Sequence, residues 1–178
     1  NNGATWTDVS DGLNIKASWS TFPAGNYGST DLYLWRRSSA DPMTLLGDMT
    51  CGDFMVYGNS NDATGFFETD GWNITADSVE VGSSAANHGY LDLSDGTGGS
   101  ATLKIAGSLI INDSDNAGGD DGYTQSTLIA ENAIINIGGS FLIEDASALP
   151  GVFNTATGTS TVVFDATCGT PTITSSGI

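Results

Sequence analysis

Positive charge is what this chain of 178 residues most lacks: Lys16, Lys104, Arg36 and Arg37 stand against 21 acidic residues, a formal net charge of -17. A surface so charged repels phosphate backbones and anionic lipid, which argues against nucleic acid as a partner. There is one histidine, His88, and the two cysteines, Cys51 and Cys168, form no C-x-x-C pair, so the ligand set of a zinc site is missing. No stretch approaches the ~18 uninterrupted apolar residues of a membrane-spanning helix. G-x-S-x-G is absent, and "DGTGGS" lacks the lysine of a phosphate-binding loop, so neither nucleophilic hydrolysis nor nucleotide binding has a motif to rest on. The opening "NNGATWTDVS" has neither a basic start nor an apolar signal core, and reads as a mature or excised piece whose export signal is gone.

What is present favours strands. Hydrophobic residues make up 39% of the chain, enough for one domain with a core, and glycine (24), Thr, Ser, Asn and Asp outweigh the helix formers. Short apolar runs recur between polar stretches: "DFMVYG", "DSVEVG", "GYLDLS", "ATLKIAGSLIIND", "NAIINIGGSFLIED", "STVVFDA" and "TPTITS". They are brief, partly alternating, and rich in β-branched or aromatic residues, as strands are. The chain reads as all-β.

The phrases also copy one another. Anchored on Gly52, Gly82, Gly107, Gly139 and Gly169, they recur at intervals of 30, 25, 32 and 30 residues. A sandwich places strands every ~8–12 residues without internal copying, whereas a solenoid repeats a whole coil. A stacked aliphatic core follows from the copies: Val56, Val81, Ile105, Ile111, Ile137, Ile143, Val162 and Ile173.

"LGDMTCGDFMVYG", "LKIAGSLIIND", "INIGGSFLIED" and "NTATGTSTVVFDATCGTPTITSSG" resemble the repeats of secreted bacterial surface proteins. The likeness covers roughly residues 45–178. It implies a right-handed parallel β-helix (solenoid), an extracellular location at the cell surface, a structural or adhesive role in a filament, sheath or adhesin, and no catalytic residues. Residues 1–44 differ: Trp6, Trp19, Phe22, Tyr27, Tyr33 and Trp35 crowd there, and the segment is expected to hold the first coils and an aromatic-rich N-terminal cap. The C-terminal "TPTITSSGI" stops part-way through a phrase, so either the protein continues or a second subunit docks there. Self-association is the partner relation this suggests.

The cysteines sit in like phrases four repeats apart. At ~4.8 Å per coil that is roughly 19 Å, far beyond the ~7 Å reach of a disulfide. What remains is two buried or turn-lining thiols, or bonds between subunits: alternation counted back from Phe54 and Val56 puts Cys51 on the outward face unless Gly52 reverses the count, which leans towards Cys51 and Cys168 as contacts between subunits. In "DSDNAGGDDGYT", Asp113, Asp115 and Gly118 match three EF-hand positions, but Ala117 and Thr124 stand where ligands belong. A looser Ca²⁺ site of Asp113, Asp115, Asp120 and Asp121 is the one cofactor left open. The carboxylate pairs, Asp92 with Asp95 among them, lie in Gly/Ser/Asn-rich turns, and the expectation is that the chain is not an enzyme. The alternative is a carbohydrate-binding or polysaccharide-degrading β-helix that stacks surface glycans on Trp19, Tyr33 or Trp35.

Overall fold

A computed structural model describes residues 6–9, 12–16, 21–35, 42–58, 65–83, 88–95, 101–113, 125–144, 151–155, 158–165 and 173–175. Among them there are strands and no helix. After β1 (Trp6–Val9) and β2 (Gly12–Lys16) the chain runs in triplets. They are β3 (Thr21–Phe22), β4 (Gly25–Asn26) and β5 (Leu32–Trp35), then β6 (Met43–Leu45), β7 (Met49–Thr50) and β8 (Phe54–Tyr57). Next come β9 (Gly65–Glu68), β10 (Ile74–Ala76) and β11 (Val79–Val81), followed by β12 (Gly89–Asp92), β13 (Thr102–Ile105) and β14 (Leu109–Ile111). The last two triplets are β15 (Thr127–Ile129), β16 (Ile134–Ile137), β17 (Phe141–Ile143) and β18 (Val152–Asn154), β19 (Thr161–Phe164), β20 (Ile173–Ser175).

Every triplet gives one strand to each of three sheets. The long sheet is β1-β2-β5-β8-β11-β14-β17-β20, the second is β3-β6-β9-β12-β15-β18, and the third is β4-β7-β10-β13-β16-β19. All neighbours pair in parallel except β1, which runs antiparallel to β2. This is the stacked-coil arrangement of a β-solenoid, and it is continuous across residues 44 and 45, which lie together in β6.

The register corrects the repeat anchors. Leu32, Phe54, Val79, Leu109, Phe141 and Ile173 are successive partners, so the coil lengthens through 22, 25, 30, 32 and 32 residues. Gly52, Gly107 and Gly139 each stand two places before a member of this column; Gly82 does not, and Asp77 fills its place. The backbone ladder at this corner runs Asp77 N–H to Gly52 O (3.0 Å), Gly107 N–H to Asp77 O (2.6 Å) and Gly139 N–H to Gly107 O (2.7 Å). At Gly139 a Cβ would come within 2.8 Å of the Gly107 carbonyl oxygen, which is why a corner this tight favours glycine.

Inward residues stack in apolar columns. Leu34, Val56, Val81 and Ile111 form one, Met43, Phe67, Leu91 and Leu128 another, and Ile74, Leu103 and Ile135 a third, all buried. Each such side chain contributes up to ~1.5–3 kcal/mol by leaving water. Of the expected core, Val56, Val81, Ile105, Ile111 and Ile137 are fully inside, while Ile143 and Val162 are half-buried against it. Ile173 departs from the expectation: it is 70% exposed, because Phe141 is its one neighbour in the column among the described residues.

Polar ladders close the corners. Asp31 Oδ1 accepts from the Asp53 N–H (2.8 Å), the Ser78 hydroxyl donates to Asp53 Oδ1 (2.6 Å), and Ser108 Oγ accepts from the Ser140 N–H (3.2 Å). At the next corner Asp48 Oδ1 takes both the N–H and the amide Nδ2 of Asn73, whose own Oδ1 accepts from the Thr102 N–H (2.8 Å). Asp31, Ser108, Asp48 and Asn73 each satisfy a backbone donor that a bare turn would leave to water.

Candidate functional site

The parallel register gathers carboxylates that are far apart in sequence. Glu68 closes β9 and Asp92 closes β12, and the two are direct partners on the outer face of the second sheet. Past them the chain turns towards the third sheet. Asp70 (φ 51°) and Gly71 (φ 81°) take left-handed conformations there, which a short Asp tolerates and glycine adopts freely. Asp95 is brought against Gly71, so that a Cβ on Gly71 would lie 3.0 Å from that of Asp95. Glu68, Asp70, Asp92, Ser94 and Asp95 together line a half-open cleft of about 180 Å³.

Burial pushes the Glu68 carboxyl above its ordinary range, and Asp92 and Asp70 push it further. Asp92 Oδ1 is engaged by the Ser94 N–H at 2.8 Å. The cleft is thus strongly negative and attracts cations. Among the described residues no group of three or more His, Cys, Asp or Glu side chains has the geometry to hold a metal ion. A carboxyl held above its ordinary range is one half of an acid/base pair, but no catalytic step follows from it alone.

The residues singled out in the sequence fall elsewhere. Asp113 is half-buried just beyond β14 and helps to hold the Glu144 carboxyl above its usual range, after the larger effect of burial. Asp115, Asp120 and Asp121, the rest of the calcium candidate, lie outside the described residues, as do Trp19 and Cys168. Tyr33 is half-buried on β5 between the inward Leu32 and Leu34. Trp35 ends the same strand, and the structure describes its backbone alone.

Cys51 is the correction. It points inward, 3% exposed, with Sγ 4.0 Å from the Thr75 carbonyl oxygen, and so offers no surface to a second subunit. The outward count fails because Gly52 and Asp53 form a corner: Cys51 continues the inward phase of Met49 on β7, not that of Phe54 on β8. Burial, followed by Asp77, Asp31 and Asp53, pushes its thiol up to about 12. Counted along the column, Cys51 stands three places before Phe54 and Cys168 five before Ile173, so the two phrases are not in the same register.

One feature escaped the sequence reading. Phe66 and Tyr90, partners on β9 and β12, meet as a tilted ring pair at 4.9 Å on the side that carries Glu68 and Asp92, Phe66 buried and Tyr90 half-buried, and Trp72 beyond the same turn is 44% exposed. Phe66 and Tyr90 each stand two places before one of those carboxylates, a signal visible once the register is known. Comparison with protein-family models, with curated proteins and with solved structures finds no match.

Proposed function

We propose that the chain is a structural or adhesive module of the extracellular surface: a right-handed parallel β-solenoid, closed by its aromatic-rich N-terminal segment, that serves as a segment or subunit of a filament, sheath or adhesin. The observation that supports it is the column of parallel coils around one apolar core, an arrangement that suits a stiff rod. At one end β18, β19 and β20 each have a strand on one side alone among the described residues, and Ile173 is uncovered. A strand edge of this kind templates further pairing, in which another copy continues the stack. No helix among the described residues is long and apolar enough to cross a membrane, and the acidic surface suits an extracellular setting.

Negative-stain electron microscopy of native material, with a non-reducing gel beside it, tests this. Rods or filaments one coil-stack wide support the reading; discrete short particles at every concentration overturn it. Half-buried Tyr90, packed on the buried Phe66, and exposed Trp72 beside the acidic cleft favour a second reading, a glycan-binding face, because sugar rings stack on aromatic faces while carboxylates accept hydrogen bonds from their hydroxyls. Retention on polysaccharide columns that is lost in Trp72→Ala and Tyr90→Ala would support it, and unchanged elution would dismiss it.

A further inference from the structure

Charge is segregated by face. The second sheet carries Glu68 and Asp92 outward, and the long sheet carries Glu80 with Glu144 just beyond β17. The third sheet has no carboxylate on any of its six strands. Its outward row runs Asn26, Thr50, Thr75, Lys104, Asn136, Val163 in register from β4 to β19. Val163 at the end of that row and Ile134 beside it, on adjacent coils, are each 42% exposed.

We infer that the outer face of the third sheet is a side-by-side contact with a second copy of this chain. In a molecule of net charge -17, two copies repel wherever carboxylates face each other, and this face is where they do not. It is also where β-branched side chains stand uncovered on a flat sheet. Lys104 on β13 and the exposed Asp165 just past β19 flank the apolar pair on opposite sides. A two-fold axis along β16 therefore sets β13 of one copy over β19 of the other and brings each Lys104 towards an Asp165. The contact is isologous and closes as a dimer. It does not depend on end-on stacking, which uses the strand edges.

The two-fold axis along β16 overlaps β13, β16 and β19 of the two copies, and three strands at ~4.8 Å by about four residues at ~3.3 Å give roughly 200 Å² per copy, against about 800 Å² per partner in a standard interface. The dimer is accordingly weak and forms where copies are concentrated. Salt strengthens it, because screening the long-range repulsion outweighs screening two exposed ion pairs.

The test is sedimentation velocity and small-angle X-ray scattering of the full chain, from tens of micromolar to about 1 mM, at low and moderate salt. The expected result is a monomer–dimer equilibrium that tightens with salt and widens the particle's cross-section where β13, β16 and β19 of the two copies overlap, which end-on growth does not. Ile134→Glu with Val163→Glu weakens it at least tenfold, while Thr127→Glu on the second sheet leaves it unchanged; Asn136→Glu, on β16 at the centre of the contact, repeats the test should the double variant fail to fold. A monomer throughout, dimers indifferent to the third-sheet variants, or growth in length alone would each overturn the lateral contact. Growth in length alone would leave end-on stacking standing. Retention on a neutral polysaccharide through the same residues, without dimers, would reassign the face to a glycan.

Discussion

The coil stack makes a sharp claim about position within a single column. Leu109 is fully buried between its partners Val79 and Phe141, and Ile173 ends the same column 70% exposed. Leu109→Ala removes a side chain from between two layers that backbone hydrogen bonds hold in place, so the cavity closes only in part. The cost is about 3–5 kcal/mol. Ile173→Ala removes a comparable volume from a place largely in water and costs under ~1 kcal/mol. For a chain of this size each kcal/mol lowers Tm by ~2–4 °C, so Leu109→Ala falls by ~6–20 °C and Ile173→Ala by a few degrees at most. Urea unfolding followed by far-ultraviolet circular dichroism reads both variants. Should the coils unfold in steps, the comparison is made on the transition that changes. Equal losses at the two positions, or a cost below about 1 kcal/mol at Leu109, would refute the stacked column.

Other perturbations probe other parts of the stack. Thr69 is fully buried and its hydroxyl has no hydrogen-bond partner among the described residues, so Thr69→Val is expected to stabilise by about 1–3 kcal/mol, read as a higher urea midpoint; a lower midpoint would mean the hydroxyl is in use. Gly89→Ala would drive a Cβ into the Val56 carbonyl and the Gly82 amide, and a variant that melts within a degree or two of the parent would contradict this packing. With its thiol pushed up to about 12, Cys51 stays protonated and closed to reagent, so alkylation at pH 8 mapped by mass spectrometry tracks unfolding. Its contribution to stability is complete below the ordinary thiol value and lost as pH rises above it; rapid labelling of native protein would refute the burial. Burial chiefly raises the Glu68, Glu80 and Glu144 carboxyls above 4.5, so the native state holds those protons to higher pH than the unfolded chain does. Stability therefore rises as pH falls from neutral towards that range, and a Tm lower at pH 5 than at pH 7.5 would count against it.

Much of this fold is legible in the chain. "AGSLII" and "GGSFLI" are near copies because the corner before each strand is two or three residues long and leaves little room for variation. The misread anchor is instructive: Asp77 makes the same backbone ladder as Gly107, so the corner needs the hydrogen bond at every coil but glycine only at some. Alternation fails at Cys51 for a related reason, since a tight corner restarts the inward–outward phase. The acidic cleft was hidden because Glu68 and Asp92 are neighbours only through the register of β9 on β12. Coil lengths that drift from 22 to 32 residues prevent any fixed period from revealing that register.

Disulfide trapping across the third sheet tests the parallel stack most directly. Thr75 and Lys104 are partners, and Asn136 is the next partner beyond Lys104. Thr75→Cys with Lys104→Cys puts two outward thiols one step apart, ~4.8 Å between Cα atoms, within reach of a disulfide. Thr75→Cys with Asn136→Cys puts them two steps apart, ~9.6 Å, which is out of reach. Mild oxidation followed by peptide mapping is predicted to link the first pair and not the second. A bond in the second pair, or free thiols in both, would contradict the register on which the account rests.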